Sequence, residues 1–146
     1  NMLGGPGMNA RLNVILRERR GLVYSVESSM VCYGDTGLWS VYFGCDPHDV
    51  NRCVRLVKGE FKRLMEKPLP EKTLAAAKRQ IKGQLAVACD NNENFAIDFG
   101  KSFLHFGDEK DIEKLYQKID AVTAEQIQQV AKEIFDKDSL ATLVIK

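Results

Sequence analysis

Apolar residues recur from Met8 at Leu12, Ile15 and Leu16, a helical stripe that faces a core while Arg11, Asn13 and Arg17 point elsewhere. Gly21 is placed to stop that helix. From Leu22 the period changes to two. Leu22 to Cys32 and Leu38 to Cys45 read as extended runs around Gly34-Asp35-Thr36-Gly37, a loop whose glycines permit positive φ, and together they predict a β-hairpin. If residue 33 opposes residue 38, Cys32 faces Trp39, Met30 faces Val41, Ser28 faces Phe43 and Val26 faces Cys45. Leu22, Tyr24, Val26, Met30, Cys32, Trp39, Val41, Phe43 and Cys45 then share an apolar face to be covered by helices, and Ser25, Glu27, Ser29, Ser40 and Tyr42 take the other.

Asp46-Pro47 opens the next helix with a capping carboxylate and a proline at the first helical position. Val50, Cys53, Val54, Val57, Phe61, Leu64 and Met65 follow at helical spacing, a stripe that should pack on the hairpin. Lys67-Pro68-Leu69-Pro70 ends it, because proline drives the residue before it out of the helical region. A helix from Glu71 turns Leu74, Ala77, Ile81, Leu85 and Ala88 inward and leaves Lys78, Arg79 and Lys82 on a solvated face. After a break at Asp90-Asn91-Asn92, Phe95, Phe99 and Phe103 recur every four residues, extended by Phe106, and predict a core stripe ending at Gly107. Asp108 to Ile119 predicts a short helix through Ile112, Leu115 and Tyr116. Thr123-Ala124-Glu125-Gln126 reads as a capping box before Ile127, Val130, Ala131, Ile134 and Phe135, and Leu140 to Ile145 as an apolar strand entering the sheet beside the hairpin. This order predicts an α+β fold, a mainly antiparallel sheet with helices packed on one face.

At 146 residues, 45% of them hydrophobic, the chain can bury a core and is short for two typical domains, so 1–146 reads as a single domain. It begins in mid-motif at Asn1-Met2-Leu3-Gly4-Gly5, which reads as a fragment of a longer chain. Lys and Arg number 21 against 20 Asp and Glu, a field too weak to argue for nucleic acid or an anionic membrane, and no apolar run approaches the roughly 18 residues of a span. Neither partner is expected. Gly4-Gly5-Pro6-Gly7 lacks the preceding strand and the following Gly-Lys-Ser/Thr of a phosphate loop. Cys32, Cys45, Cys53 and Cys89 form no C-x-x-C and lie in apolar contexts, which favours buried reduced thiols. Reduced thiols point to the cytoplasm, with a periplasmic or organellar location as the alternative. His48 and His105 fall on separate predicted helices without a carboxylate at zinc-motif spacing, so no metal site is expected.

The stretch Leu16-Arg17-Glu18-Arg19-Arg20-Gly21-Leu22-Val23-Tyr24 joins a charged helix end to a strand start. Preceded by Leu3-Gly4-Gly5 and by Arg11-Leu12, it resembles the C-terminal, non-zinc domains of the pitrilysin/insulinase family of zinc metallopeptidases, which includes the mitochondrial processing peptidases. The family pattern runs roughly L-G-G-x-x-x-S-R-L, a helix, then L-R-x-x-x-G-L-x-Y-x-V. Asn9-Ala10 stands here where the family usually has two small or hydroxylated residues. The resemblance covers essentially the whole chain; its opening motif is fairly specific and its later helices are not.

The resemblance implies a processing-peptidase-like metallohydrolase fold whose first strand and helix would precede Asn1. It also implies a non-catalytic, substrate-binding and chamber-forming domain of a zinc metalloendopeptidase acting on peptides or unfolded segments. Arg17 and Tyr24 would reach across a closed chamber to the substrate backbone. Zinc would sit on an H-x-x-E-H and a distant Glu in the complementary domain, N-terminal in the same protein or in a partner subunit. This chain would hold no cofactor, supply no catalytic residue and be inactive alone, and the full-length chain would form a homodimer. The other reading of the same fold is a non-enzymatic assembly or scaffold subunit, as in the core subunits of respiratory complexes. Strand alternation puts Tyr24 on the core side, whereas the implied role needs its hydroxyl in the chamber; a tyrosine at the mouth of a sheet can bury its ring and present its oxygen at the edge.

Overall fold

The change of period at Gly21 is where helix gives way to sheet. The computed structural model describes residues 1–90, 92–107, 111–136 and 138–145, apart from the side chains of Asn92, Asn94 and Phe106. Residues 11–18 are helical, and Asn13–Glu18 take the wider π form, in which the Arg19 amide donates to the Val14 carbonyl at 3.0 Å, five residues back. Leu12 and Leu16 are completely buried. The widened turn also buries Asn13, expected outside, whose Nδ2 donates to the Gly7 carbonyl at 3.1 Å. Met8, expected to begin the stripe, is exposed.

Gly21 stands at φ +59°, the left-handed region that a residue without Cβ enters freely. Its amide donates to the Arg17 carbonyl at 2.8 Å, and the Leu22 amide to the Leu16 carbonyl at 2.9 Å. These two bonds form a Schellman-type closure widened by one residue, in step with the π turn before it.

Strands β1 (Val23–Cys32) and β2 (Gly37–Cys45) form an antiparallel pair. The Tyr33 amide donates to the Thr36 carbonyl at 2.8 Å, closing the loop on residues 33–36. Cys32 therefore faces Gly37, Met30 faces Trp39, Ser28 faces Val41 and Val26 faces Phe43, two residues away from the expected register. A shift of two preserves the faces. The next irregularity does not: Val23 faces Cys45, so Tyr24 and Ser25 oppose Gly44 alone, a β-bulge. Val23 and Val26 both turn into the core, and Tyr24, expected on the core face, is 91% exposed. Burial also fades toward the hairpin tip, where Met30 and Cys32 are exposed against expectation.

Asp46 makes no side-chain cap; a 3₁₀ turn, Pro47–Asp49, leads instead into α1 (Val50–Glu66). Cys53, Val57, Phe61 and Leu64 are buried along α1, as the stripe predicts. The rings of Trp39 on β2 and Phe61 meet edge-on at 5.3 Å, and Phe135 lies 4.9 Å from Trp39 and 4.3 Å from Phe61, which packs α1 on the hairpin. Phe135 follows α5 (Ala124–Ile134), and the Gln128 side chain on α5 donates to the Met65 carbonyl at 2.8 Å. Lys67 is extended before Pro68, as expected. Residues 140–145 form no strand: Leu143 and Ile145 are 86% and 85% exposed and pair with neither edge of the hairpin. On the outer side of β1 the Ser28 amide already donates to the Gly4 carbonyl at 2.9 Å.

The chain divides into two compact units, Asn1–Leu69 with Glu125–Lys146, and Pro70–Ala124. The second is helical: α2 (Glu71–Cys89), α3 (Asn92–Phe106) and α4 (Ile112–Ala121). Phe95, Phe99 and Phe103 follow one another along α3 with centroids 6.4 Å apart at each step; Phe95 and Phe99 are half-buried and Phe103 is more than half exposed, so the stripe is only partly covered, and the side chain of Phe106, expected to extend it, lies outside the described residues. Lys78 and Lys82 are not merely solvated: Lys78 donates to the Asp120 carbonyl at 2.7 Å, and Lys82 reaches the Asp120 carboxylate at 2.9 Å and lies 5.6 Å from the centroid of the Tyr116 ring. Asp111 caps α4, accepting from the amides of Glu113 at 2.9 Å and Lys114 at 3.2 Å; the earlier start expected at residues 108–110 lies outside the described residues.

Candidate functional site at the helix-to-strand corner

Arg17 lies in the last turn of the π helix and Tyr24 is the second residue of β1, so the Gly21 closure and the bulge together set where both side chains stand. Arg17 is exposed, its side chain 44% accessible, with its Nε 3.6 Å from Glu18 Oε1. At that distance and exposure the pair is loose and contributes little. Tyr24 stands outside the core, and its hydroxyl has no hydrogen-bond partner among the described residues. No hydrogen bond or cation–π contact joins the two side chains among the described residues. Arg20 Nη1 donates to the Ile15 carbonyl at 3.0 Å, so one of the neighbouring arginines caps the helix end.

The corner rests on a rigid base. Gly4 runs so close to β1 that a Cβ there would lie 2.9 Å from the Ser28 backbone nitrogen, and the Leu12 amide donates to the Leu3 carbonyl at 2.8 Å. The Gly-Gly turn of the opening motif is thus a packing requirement that wedges the helix carrying Arg17 against the strand carrying Tyr24.

Glu60 was not anticipated as part of this support. It is buried on the α1 stripe, with Oε2 3.0 Å from Arg11 Nε and Oε1 bonded by Arg63. The pairing ties α1 to the helix that bears Arg17. A carboxylate three residues after Val57 and four before Leu64 lies on the apolar face, and that position was the available signal.

The donor set for a metal is poor. Asp46, His48 and Asp49 place ligand atoms within 4.8 Å of one another, but Asp46 and His48 are exposed, and His48 Nε2 lies 3.2 Å from Asp49 Oδ2. His105 is in the other unit, on α3. Two imidazoles one helical turn apart are absent from the sequence, so an inverted zinc motif does not fit these residues. No helix among the described residues is long and apolar enough to cross a membrane.

All four cysteines are free. Cys53 is buried and Cys45 and Cys89 are half-buried, while Cys32 stands exposed near the hairpin tip, contrary to expectation. Burial, and then the neighbouring Cys45 thiol, pushes the Cys53 thiol up to about 11.

Residues 1–81, which contain the whole corner and its support, match the Peptidase M16 inactive domain. The chain belongs to that family. An uncharacterized zinc protease of Streptomyces coelicolor is 30% identical over 133 residues, covering 91% of this chain and 29% of the relative. The beta subunit of the mitochondrial-processing peptidase of Bos taurus is 32% identical over 142 residues, 96% of this chain and 29% of that subunit. A crystal structure of a peptidase M16 inactive domain from Pseudomonas fluorescens superposes with a TM-score of 0.78 at 23% identity, over 90% of this chain and 31% of that one, which shows the shared fold. The chain thus spans about three-tenths of the length of these relatives.

Proposed function

We propose that this chain is the substrate-binding, chamber-forming domain of a zinc metalloendopeptidase, part of a longer protein, acting on peptides or unfolded segments. The carrying observation is Tyr24, lifted out of the core by the bulge, with a hydroxyl that has no hydrogen-bond partner among the described residues, seven positions after the exposed Arg17. A phenol held by a strand can donate to a peptide oxygen as negative charge develops on it, and a guanidinium can hold a substrate carbonyl or carboxylate. Zinc and the general base belong to a complementary domain, in the same protein or a partner subunit, because the histidines of this chain do not form the motif. The peptide substrate and the homodimer of the full-length chain belong to the same reading.

The test is kinetic, in the full-length peptidase. Tyr24→Phe removes one hydroxyl from an exposed ring, so fold and zinc content persist while kcat falls on the order of a hundredfold to a thousandfold. Arg17→Ala raises KM as well, since it removes an anchor used before the transition state. Near-normal kinetics in both variants would leave the corner a structural feature. The isolated chain is expected to retain no stoichiometric zinc after dialysis and to cleave no peptide; one tightly held zinc per chain refutes that part.

A further inference from the structure

Among the described residues two polar or charged residues are buried, Asn13 and Glu60, and both hold the same helix, residues 11–18. They hold it from opposite directions. Glu60, on the apolar stripe of α1, accepts from Arg11 Nε at 3.0 Å, while Asn13 Nδ2 donates to the Gly7 carbonyl at 3.1 Å and the Arg11 amide to the Met2 carbonyl at 3.1 Å. The start of the helix is thus fixed to α1 and to the opening turn. Arg63 bonds the second Glu60 oxygen, so both carboxylate oxygens are engaged. Arg17, in the last turn, makes a loose ion pair with Glu18 and takes its position from the helix beneath it.

We propose that Glu60 is a positioning residue: through Arg11 it sets how the helix of residues 11–18 is turned on α1, and so the place from which Arg17 reaches the substrate. Asn13 is its counterpart on the Gly7 side. Apolar burial is non-directional, so Leu12 and Leu16 fix how deeply the helix sits but not its rotation, whereas a charge-assisted hydrogen bond between two side chains admits one narrow geometry. A buried ion pair is also a poor way to gain stability, since apolar side chains of similar volume hold a fold as well or better. What Glu60 adds over a leucine at the same place is orientation. The proposal rests on the substrate-anchoring role given to Arg17 above.

The experiment is steady-state kinetics of the full-length peptidase on an internally quenched peptide that the wild type cleaves, with the thermal midpoint and hydrogen exchange measured alongside. The key variant replaces the pair by apolar side chains, Arg11→Met with Glu60→Leu. Its midpoint is expected to hold while KM rises several-fold, and in an Arg17→Ala background the same replacement is expected to add nothing, because two changes that act through one group are not additive. In a Tyr24→Phe background its effect persists in full. The Arg19 and Gly21 amides, which close the turn around Arg17, should exchange several-fold faster in the apolar variant. A lowered midpoint with KM unchanged would make Glu60 a residue of the fold alone and overturn the proposal. So would a rise in KM that is equally large without Arg17, or unchanged exchange of the two amides. Glu60→Gln is read in the same way if the apolar pair does not fold. An unchanged KM in Arg17→Ala by itself counts against the anchoring role of Arg17; the exchange rates, which do not depend on turnover, then decide whether Glu60 places the helix.

Discussion

The two compact units are held together by different means. Every buried hydrophobic residue among the described residues lies in Asn1–Leu69 or beyond Glu125: Leu12, Leu16, Cys53 and Phe61 are examples. The described residues of Pro70–Ala124 include none, and its helices meet through half-covered apolar stripes and the contacts of Lys78 and Lys82 with Asp120. Apolar burial is the main favourable term in folding, whereas exposed ion pairs are worth little. The corner that carries Arg17 and Tyr24 is built on the unit with a closed core.

The comparison breaks most directly at the aromatic cluster. Phe61→Ala opens a cavity beneath Trp39 and Phe135 and should cost about 3–5 kcal/mol in urea unfolding. Phe99→Ala on α3, half-exposed, should cost about 1 kcal/mol. Equal losses would mean that the second unit has a core of its own.

Gly4→Ala sharpens the comparison within the first unit. Its new Cβ meets backbone at 2.9 Å, with no flexible side-chain end to yield, and the strain should cost about 1–3 kcal/mol in thermal denaturation. An unchanged midpoint would show that the Gly-Gly turn does not wedge helix against strand.

Alkaline pH should weaken the same unit. The folded protein holds the Cys53 proton to about 11 and the unfolded chain only to 9.0, so between those values the unfolded state releases its proton first. Stability is full below pH 9.0 and falls as pH rises toward 11, by on the order of 2 kcal/mol, a pKa unit being about 1.4 kcal/mol. Cys53→Ala should lower stability overall but flatten that slope; a slope unchanged in the variant would assign it to other groups.

The smallest effect is expected in the second unit. Asp120→Ala removes an exposed carboxylate from Lys82 but leaves the backbone carbonyl that Lys78 bonds, and should cost about 0.5 kcal/mol. A loss several times larger would make that ion pair, rather than the apolar stripes, the principal tie between α2 and α4.

Much of the fold was legible in local patterns. The hairpin, the α1 stripe, the breaks at Gly21 and Pro68 and the α+β class all follow from side-chain period and from residues that permit or forbid a backbone conformation, as did Arg17 at an exposed helix end. Tyr24 shows where such reading fails. Alternation assumes a ladder without insertions, and a bulge of one residue reverses the face of everything beyond it.

The sequence by itself determined which segments are helix and which are hairpin, and through its opening motif the family, because periodicity and backbone preference act between near neighbours. Tertiary structure decided the rest. It turned Tyr24 outward, placed Glu60 between two arginines, and left Leu143 and Ile145 without a strand partner. Each of these depends on what another part of the chain brings close: a strand exists only where an edge accepts its hydrogen bonds, and a buried charge takes its character from neighbours distant in sequence.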